Sequence, residues 1–295
     1  MQAIKSSPSS LAIDAHQHFW QYSASEYGWI DERMSALKRD FLPADLRPLL
    51  QAARLQGSIA VQARQTIEET RRLLQLADAH DFILGVVGWV ELCSDQVEQQ
   101  LEEFAAHPKL SGLRHVVQDE ADDFMLRSAF VRGIQALASL NKTYDILIFP
   151  RQLPAAIELV RRFPQQRFVL DHIAKPCIRD HLLSPWAEQI HRLAEYDNVW
   201  CKVSGMVTEA DWKAWTPRDF RPFLDVVFEA FGVQRIMFGS DWPVCTVAAS
   251  YQQVFELFDH YIQAFSADEK ASLFGLNCVR AYDLDLKGAK KDLAR

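Results

Sequence analysis

The segment LAIDAHQHFW places two histidines, His16 and His18, two residues apart. Along an extended strand side chains alternate faces, so residues at this spacing point the same way. Two imidazoles on one face are a natural beginning for a metal site or for an electrophilic site. The plainer alternative is a pair of histidines hydrogen-bonded at a polar strand end. Asp241 lies in RIMFGSDWP, where an apolar run gives way to Gly, Ser and then Pro. A carboxylate at the C-terminal end of a barrel strand points to catalysis, with helix or loop capping as the alternative. His172 closes the apolar run of RFVLDHIAKP. Strand parity sends its neighbour Asp171 to the opposite face.

These side chains need a frame that brings distant strand ends together. Short apolar runs are expected as strands over residues 11–19, 57–63, 82–91, 110–117, 143–149, 167–173, 198–205 and 235–242. Helical periodicity fills the intervals 66–80, 95–106, 124–140, 153–163, 185–196 and 217–231, and a last long stretch covers 247–276. Strands alternating with helices imply parallel βαβ units. Eight such units in one chain match an α/β fold of the TIM (β/α)8 barrel type, which typically uses about 250 residues. An open doubly wound sheet is the alternative, yet neither GxGxxG nor GKS/GKT is present to bind a nucleotide. The polar and aromatic stretch 20–39 delays the first helix. It is expected as an extended loop after strand 1, on the face where barrel active sites are built. A single catalytic domain is expected across residues 1–295, with its core at about 11–284 and short polar tails.

Bulk properties exclude several classes. Hydrophobic residues make up 49% of the 295 and charged residues 24%, an ordinary globular balance. The net charge of -7 disfavours nucleic acid as a partner. Cys93, Cys177, Cys201, Cys245 and Cys278 are scattered and form no CxxC pair, which argues against a disulfide framework or a zinc knuckle. The first ten residues lack the apolar stretch of a signal peptide, and no segment is apolar over membrane-spanning length. A cytoplasmic location with no membrane partner is expected, and a homo-oligomer is compatible with the sequence.

At this point the chain resembles a known group. IDAHQHFW, GVVGWVEL, GLRHVVQDE, VLDHIAKP, CKVSGMVTEADW and FGSDWPVC are similar to motifs of the amidohydrolase superfamily. The resemblance is to its lactonase-type branch, the "amidohydrolase 2" proteins, and it runs from about residue 11 to 284. Members hydrolyse lactones such as L-fuconolactone, L-rhamnonolactone and pyrone or muconolactone dicarboxylates. The resemblance implies a carbohydrate-directed hydrolase that opens a small-molecule lactone, most simply a sugar-acid lactone. It makes His16 and His18 the first-strand pair, His172 the sixth-strand histidine and Asp241 the eighth-strand aspartate.

Ester hydrolysis requires an activated water, a polarised carbonyl and a proton for the leaving alkoxide. Asp241 is the candidate general base. His16, His18 and His172 are expected to polarise the carbonyl, directly or through one divalent ion held with Asp241. The wider superfamily bridges two metals with a carboxylated lysine or a glutamate. Here the fourth strand ends in Arg114 and His115 and the fifth in Phe149. The expectation is therefore no required cofactor or a single divalent metal ion, zinc foremost, and not a binuclear centre. Arg114 is a candidate for gripping a carboxylate or sugar oxygens, with a salt bridge to Asp119 or Glu120 as the alternative. Lys202 is a candidate substrate contact or one half of a buried ion pair. Trp20 and Trp242 are candidates for an apolar wall against a sugar ring, or for core packing. The competing function is a metal-dependent decarboxylase of the same superfamily acting on an aromatic or enoic acid; a non-catalytic scaffold is the third.

Overall fold

The computed structural model describes residues 11–285. The two polar ends expected as tails, including the first ten residues expected to lack a signal peptide, lie outside the described residues. Eight parallel strands follow one another in sequence order: β1 (Ile13–Gln17), β2 (Gly57–Val61), β3 (Ile83–Gly88), β4 (Leu110–Val116), β5 (Thr143–Leu147), β6 (Phe168–Leu170), β7 (Val199–Val203) and β8 (Ile236–Phe238). The Asp241 amide donates to the His16 carbonyl at 2.8 Å, and the His18 amide donates to the Trp242 carbonyl at 2.7 Å. These bonds join the last strand end to the first and close a TIM (β/α)8 barrel. Strands such as GSIAV, FVL and IMF are buried along their whole length, as strands covered on both faces must be.

Around the barrel run α1 (Pro43–Ala52), α2 (Ile67–Ala79), α3 (Val97–Ala105), α4 (Ser128–Ser139), α5 (Leu153–Arg162), α6 (Trp186–Ala194), α7 (Pro217–Phe231) and α8 (Tyr251–Tyr261). Side chains fix their starts: the Thr66 hydroxyl accepts from the Glu69 amide, and Ser250 and Gln253 satisfy each other in a capping box. The apolar stripes of these helices pack on the outer barrel wall through one large cluster. A smaller cluster fills the interior, where Ile13, Ile59, Val87, Val169 and Met237 meet Cys278 and Tyr282. Among the described residues no helix is long and apolar enough to cross a membrane.

Three departures from the expected elements bear on the site. The stretch expected as one helix over 247–276 divides into α8, the short α9 (Ala267–Ala271), one π-helical turn (Ser272–Leu276) and then α10 (Asn277–Tyr282). Gly275 lies so close to the Leu11 carbonyl that a Cβ would sit 1.7 Å from that oxygen, so the turn seals the barrel floor. Secondly, β1 slips register by one residue against β2 between Asp14 and Gln17. The bulge turns Asp14 out to Tyr251 on α8, while His16 still faces the interior. Thirdly, β6 ends at Leu170, earlier than expected. Residues 172–175 then adopt left-handed backbone, with φ between 48° and 62° and no glycine among them.

Candidate active site

His16 and His18 at the end of β1, His172 after β6 and Asp241 after β8 converge at the C-terminal mouth of the barrel. Asp241 Oδ1 lies 3.4 Å from His18 Nε2, 3.7 Å from His16 Nε2 and 3.9 Å from His172 Nε2. The two β1 imidazoles stand 3.2 Å apart through their Nε2 atoms. Every member is buried. Each ring is also held from behind. His18 Nδ1 meets the Val61 carbonyl at 2.8 Å, and His172 Nδ1 meets the Ser204 hydroxyl at 2.8 Å. Gly205 (φ 59°) lets β7 pass close to the His172 ring: a Cβ there would stand 2.5 Å from Nδ1.

Burial pushes the His172 imidazole down to about 4, so it is neutral at pH 7. Burial likewise drives His16 well below the usual histidine range, against the pull of Asp171. Burial alone would raise Asp241; the facing His172 and His18 rings outweigh it and hold the carboxyl below the usual range. The set is therefore a carboxylate that faces two imidazoles, His16 and His172, which are neutral at pH 7.

The Val61 carbonyl can only accept, so the His18 proton sits on Nδ1 and its Nε2 presents a lone pair. His16 has two arrangements. With its proton on Nδ1, toward Asp171 Oδ1 at 3.3 Å, its Nε2 lone pair faces that of His18. One cation resolves that opposition: two nitrogens about 2.0–2.1 Å from a tetrahedral zinc stand about 3.3 Å apart. With the proton on Nε2, His16 donates to His18 and the site closes on itself. The donor set thus fits a single divalent ion and also holds together without one.

Beneath this set lies a layer of paired charge. Lys202 Nζ, wholly buried, lies 2.6 Å from Asp145 Oδ2, 3.0 Å from Asp171 Oδ1 and 3.2 Å from His16 Nδ1. Arg114 Nη1 meets Asp171 Oδ2 at 2.9 Å and His16 Nε2 at 3.3 Å, and its Nη2 donates to the Gln62 carbonyl. Burial works against the charge of Asp171, but Lys202, His16 and Arg114 hold it well below the usual range. Burial raises Asp145 to about 6, opposed by Lys202.

Above the set opens a cleft of about 530 Å3. It is bounded by His18, His172, Asp241 and Arg114 below, and by Glu26 and Trp29 from the long loop after β1. Of the sequence-derived substrate contacts, Arg114 lines this cleft, and its partner is Asp171 rather than Asp119 or Glu120. Lys202 lies under the imidazoles, in the buried ion-pair arrangement. Trp20 is fully buried, gives its Nε1 hydrogen to the Arg39 carbonyl and meets Trp29 edge-on at 5.8 Å. Trp242 packs in the core against Phe19 and Phe41. The exposed indole on the cleft is Trp29, at 41% exposure.

Parity misplaces Asp171, because the strand has ended and the left-handed turn brings Asp171 and His172 to the same centre. Sequence reasoning also passes over Glu26, Trp29, Arg64 and Lys175. Ser204, just past the end of β7, is legible from strand parity, which puts it on the same face as Lys202. His115 points away from the mouth, stacked on Phe124 and 3.3 Å from Glu120.

With the barrel and its mouth defined, comparison with known proteins places the chain. It belongs to the amidohydrolase family, whose model matches residues 13–284. An L-fucono-1,5-lactonase of Burkholderia multivorans is 43% identical over 287 residues, covering 93% of this chain and 97% of that protein. An L-fucono-1,5-lactonase of Burkholderia ambifaria is 36% identical over 284 residues, covering 94% of this chain and 97% of that protein. A crystal structure of an amidohydrolase from Burkholderia multivorans with bound zinc matches with a TM-score of 0.90 at 43% identity, covering 93% of this chain and all of that one.

Proposed function

We propose that this chain hydrolyses the ring ester of a sugar-acid lactone, and that L-fucono-1,5-lactone is the first substrate to test. The observation that carries the reading is the meeting of Asp241 Oδ1 with three imidazole Nε2 atoms, all within 4 Å, at the floor of an open cleft. Its support from relatives is the likeness to two L-fucono-1,5-lactonases.

Asp241 turns Oδ1 to the imidazoles, which leaves its second oxygen to take a proton from water. That carboxylate is ionised at neutral pH and so is ready as a base. It later returns the proton to the ring oxygen as the ester bond breaks. His172 lies at the cleft floor, where the carbonyl oxygen would sit. With its Nδ1 accepting from the Ser204 hydroxyl, its Nε2 hydrogen would donate to that oxygen. His18, with its proton on Nδ1 toward Val61, offers its Nε2 lone pair to a cation instead. Arg114 lines the same floor, where its guanidinium would add positive charge beside the ring oxygens. Where one divalent ion is bound, His16, His18, His172 and Asp241 would hold it, and it would supply Lewis-acid polarisation of the carbonyl. Zinc suits this nitrogen-rich set.

The test is a pH-indicator assay of the purified protein on L-fucono-1,5-lactone, with chelator and with added zinc, alongside metal analysis. Acid release with at most one metal per chain is expected, and activity persists in part after chelation. A protein inert on every sugar lactone overturns the function. Two stoichiometric metals, with activity abolished by chelation and restored by zinc, overturn the single-ion site.

A further inference from the structure

The cleft above the catalytic floor carries three cations, and each already has its own carboxylate. Arg64, after β2, is gripped from two sides: its Nε lies 2.6 Å from Glu69 Oε2 and its Nη1 lies 2.5 Å from Glu26 Oε1. Glu69 is buried behind it and also accepts the Arg64 backbone amide. The Arg64 guanidinium further lies over the Tyr27 ring, 5.3 Å from its centre. Arg114 is paired with Asp171 at 2.9 Å. Lys175 is paired with Glu209 at 3.3 Å. Asp119 and Asp241 add two further carboxylates to the lining. Three cations therefore face six carboxylates once their partners are included, and one bound divalent ion would not reverse that balance. The remaining walls are neutral, with Trp29, Leu147 and Val244 apolar and Gln65, Thr66 and Gln118 able to bond hydroxyls.

We infer that this cleft is built for an uncharged lactone and rejects lactones that carry a carboxylate, with the Glu26–Arg64 pair as the element that sets the preference. The inference rests on the lactonase reading and narrows it. A carboxylate on the substrate would need a cation with unmatched charge. Arg64, held by Glu69 on one side, can offer none while Glu26 occupies Nη1. The substrate's carboxylate would also stand against Glu26 itself, and like charges so placed are a strong means of excluding a wrong partner. Glu26 is half-exposed and comes from the loop after β1.

Two substrates separate the possibilities: L-galactono-1,4-lactone, and the analogue whose C6 is oxidised to a carboxylate. The wild-type protein should favour the neutral lactone in kcat/KM by at least about 10²-fold, the scale that like-charge exclusion supplies. Glu26→Gln removes the competing carboxylate and frees the Arg64 charge, so that ratio should fall by about tenfold or more. Glu26→Ala should do the same, and added salt should narrow the wild-type ratio because the cleft is open to solvent. Comparable turnover of both lactones by the wild-type protein, or an unchanged ratio in both variants, overturns the inference while leaving the lactonase reading intact. A protein that opens neither of these lactones nor L-fucono-1,5-lactone overturns both together.

Discussion

Two layers of the barrel lie within one side-chain length of each other and follow opposite rules. In the lower layer, Asp145, Lys202, Asp171 and Arg114 alternate in sign, and every cation touches a carboxylate. In the upper layer, His16, His18, His172 and Asp241 set acceptor against acceptor around one point. The lower layer is a buried structure of compensated charge, and of its four members Arg114 reaches the cleft lining. The upper layer has two ways to be satisfied, a His16 proton on Nε2 or one cation between the rings, and it forms the floor of the cleft. The contrast separates a charged residue that supports a site from one that performs chemistry there. Burial is extreme in both, and partner sign tells them apart.

The sharpest way to break the comparison is to remove the central cation of the lower layer. Lys202→Met keeps most of the volume but leaves Asp145 and Asp171 facing each other without compensation. Loss of one partner of a buried ion pair costs about 3–5 kcal/mol. Denaturant unfolding should show a loss of that order, and activity should fall as well because His16 Nδ1 loses its neighbour. A loss below about 1 kcal/mol, the scale of an exposed ion pair, would mean the layer is not held by charge.

Asp241→Asn probes the upper layer and should give the complementary result. The amide preserves shape and hydrogen bonding but cannot take a proton. The turnover number on a sugar lactone should fall by at least about 10²-fold, the contribution of a general base. Substrate affinity and the unfolding midpoint should change little, because the base meets water rather than the ring. A variant with near wild-type turnover would remove Asp241 from this role. One as unstable as Lys202→Met would erase the distinction between the layers.

The upper layer is far more visible in the sequence than the lower. His16 and His18 declare a shared face by their spacing, and Asp241 marks the end of a strand by the GSDWP that surrounds it. The strand count gives the barrel, although β6 and β8 are shorter than their apolar runs suggest, since those runs continue into turns that remain buried. The pairing of Asp171 with Arg114 and Lys202 is hidden because period-two logic ends with the strand. Nothing in DHIAK announces a left-handed turn, which glycine or asparagine usually marks and which here is imposed by the packing around the mouth. The Glu26–Arg64 pair is hidden for a different reason: it joins loops after β1 and β2, and a single sequence has no period that links them. Trp20 and Trp242 fit either a wall or the core on sequence alone. Their burial beside Trp29, Phe41 and Phe19 follows from the path of the long loop, which no local pattern specifies.

The smallest expected effect lies at the outer edge of the comparison, where the β1 bulge turns Asp14 away from both layers. Asp14 Oδ2 accepts from the Tyr251 hydroxyl at 3.0 Å, and Oδ1 accepts from the Ser240 amide at 2.9 Å. Burial nevertheless raises its carboxyl from 3.8 to about 6, with those hydrogen bonds opposing the rise. A carboxyl raised on folding contributes stability that is complete below about pH 4 and is lost as pH climbs through about 6. Tyr251→Phe removes one donor that favours the ionised form. At pH 8, where Asp14 is charged, the loss should be about 1–2 kcal/mol, because a hydrogen bond to a carboxylate is stronger than one to a neutral acid. At pH 5 Asp14 is largely protonated in the folded protein, and the same substitution should cost roughly half as much. Unfolding of the wild-type and Tyr251→Phe proteins at both pH values measures the difference. Equal losses at the two pH values would show that Asp14 does not titrate between them and that Tyr251 serves only as packing for α8.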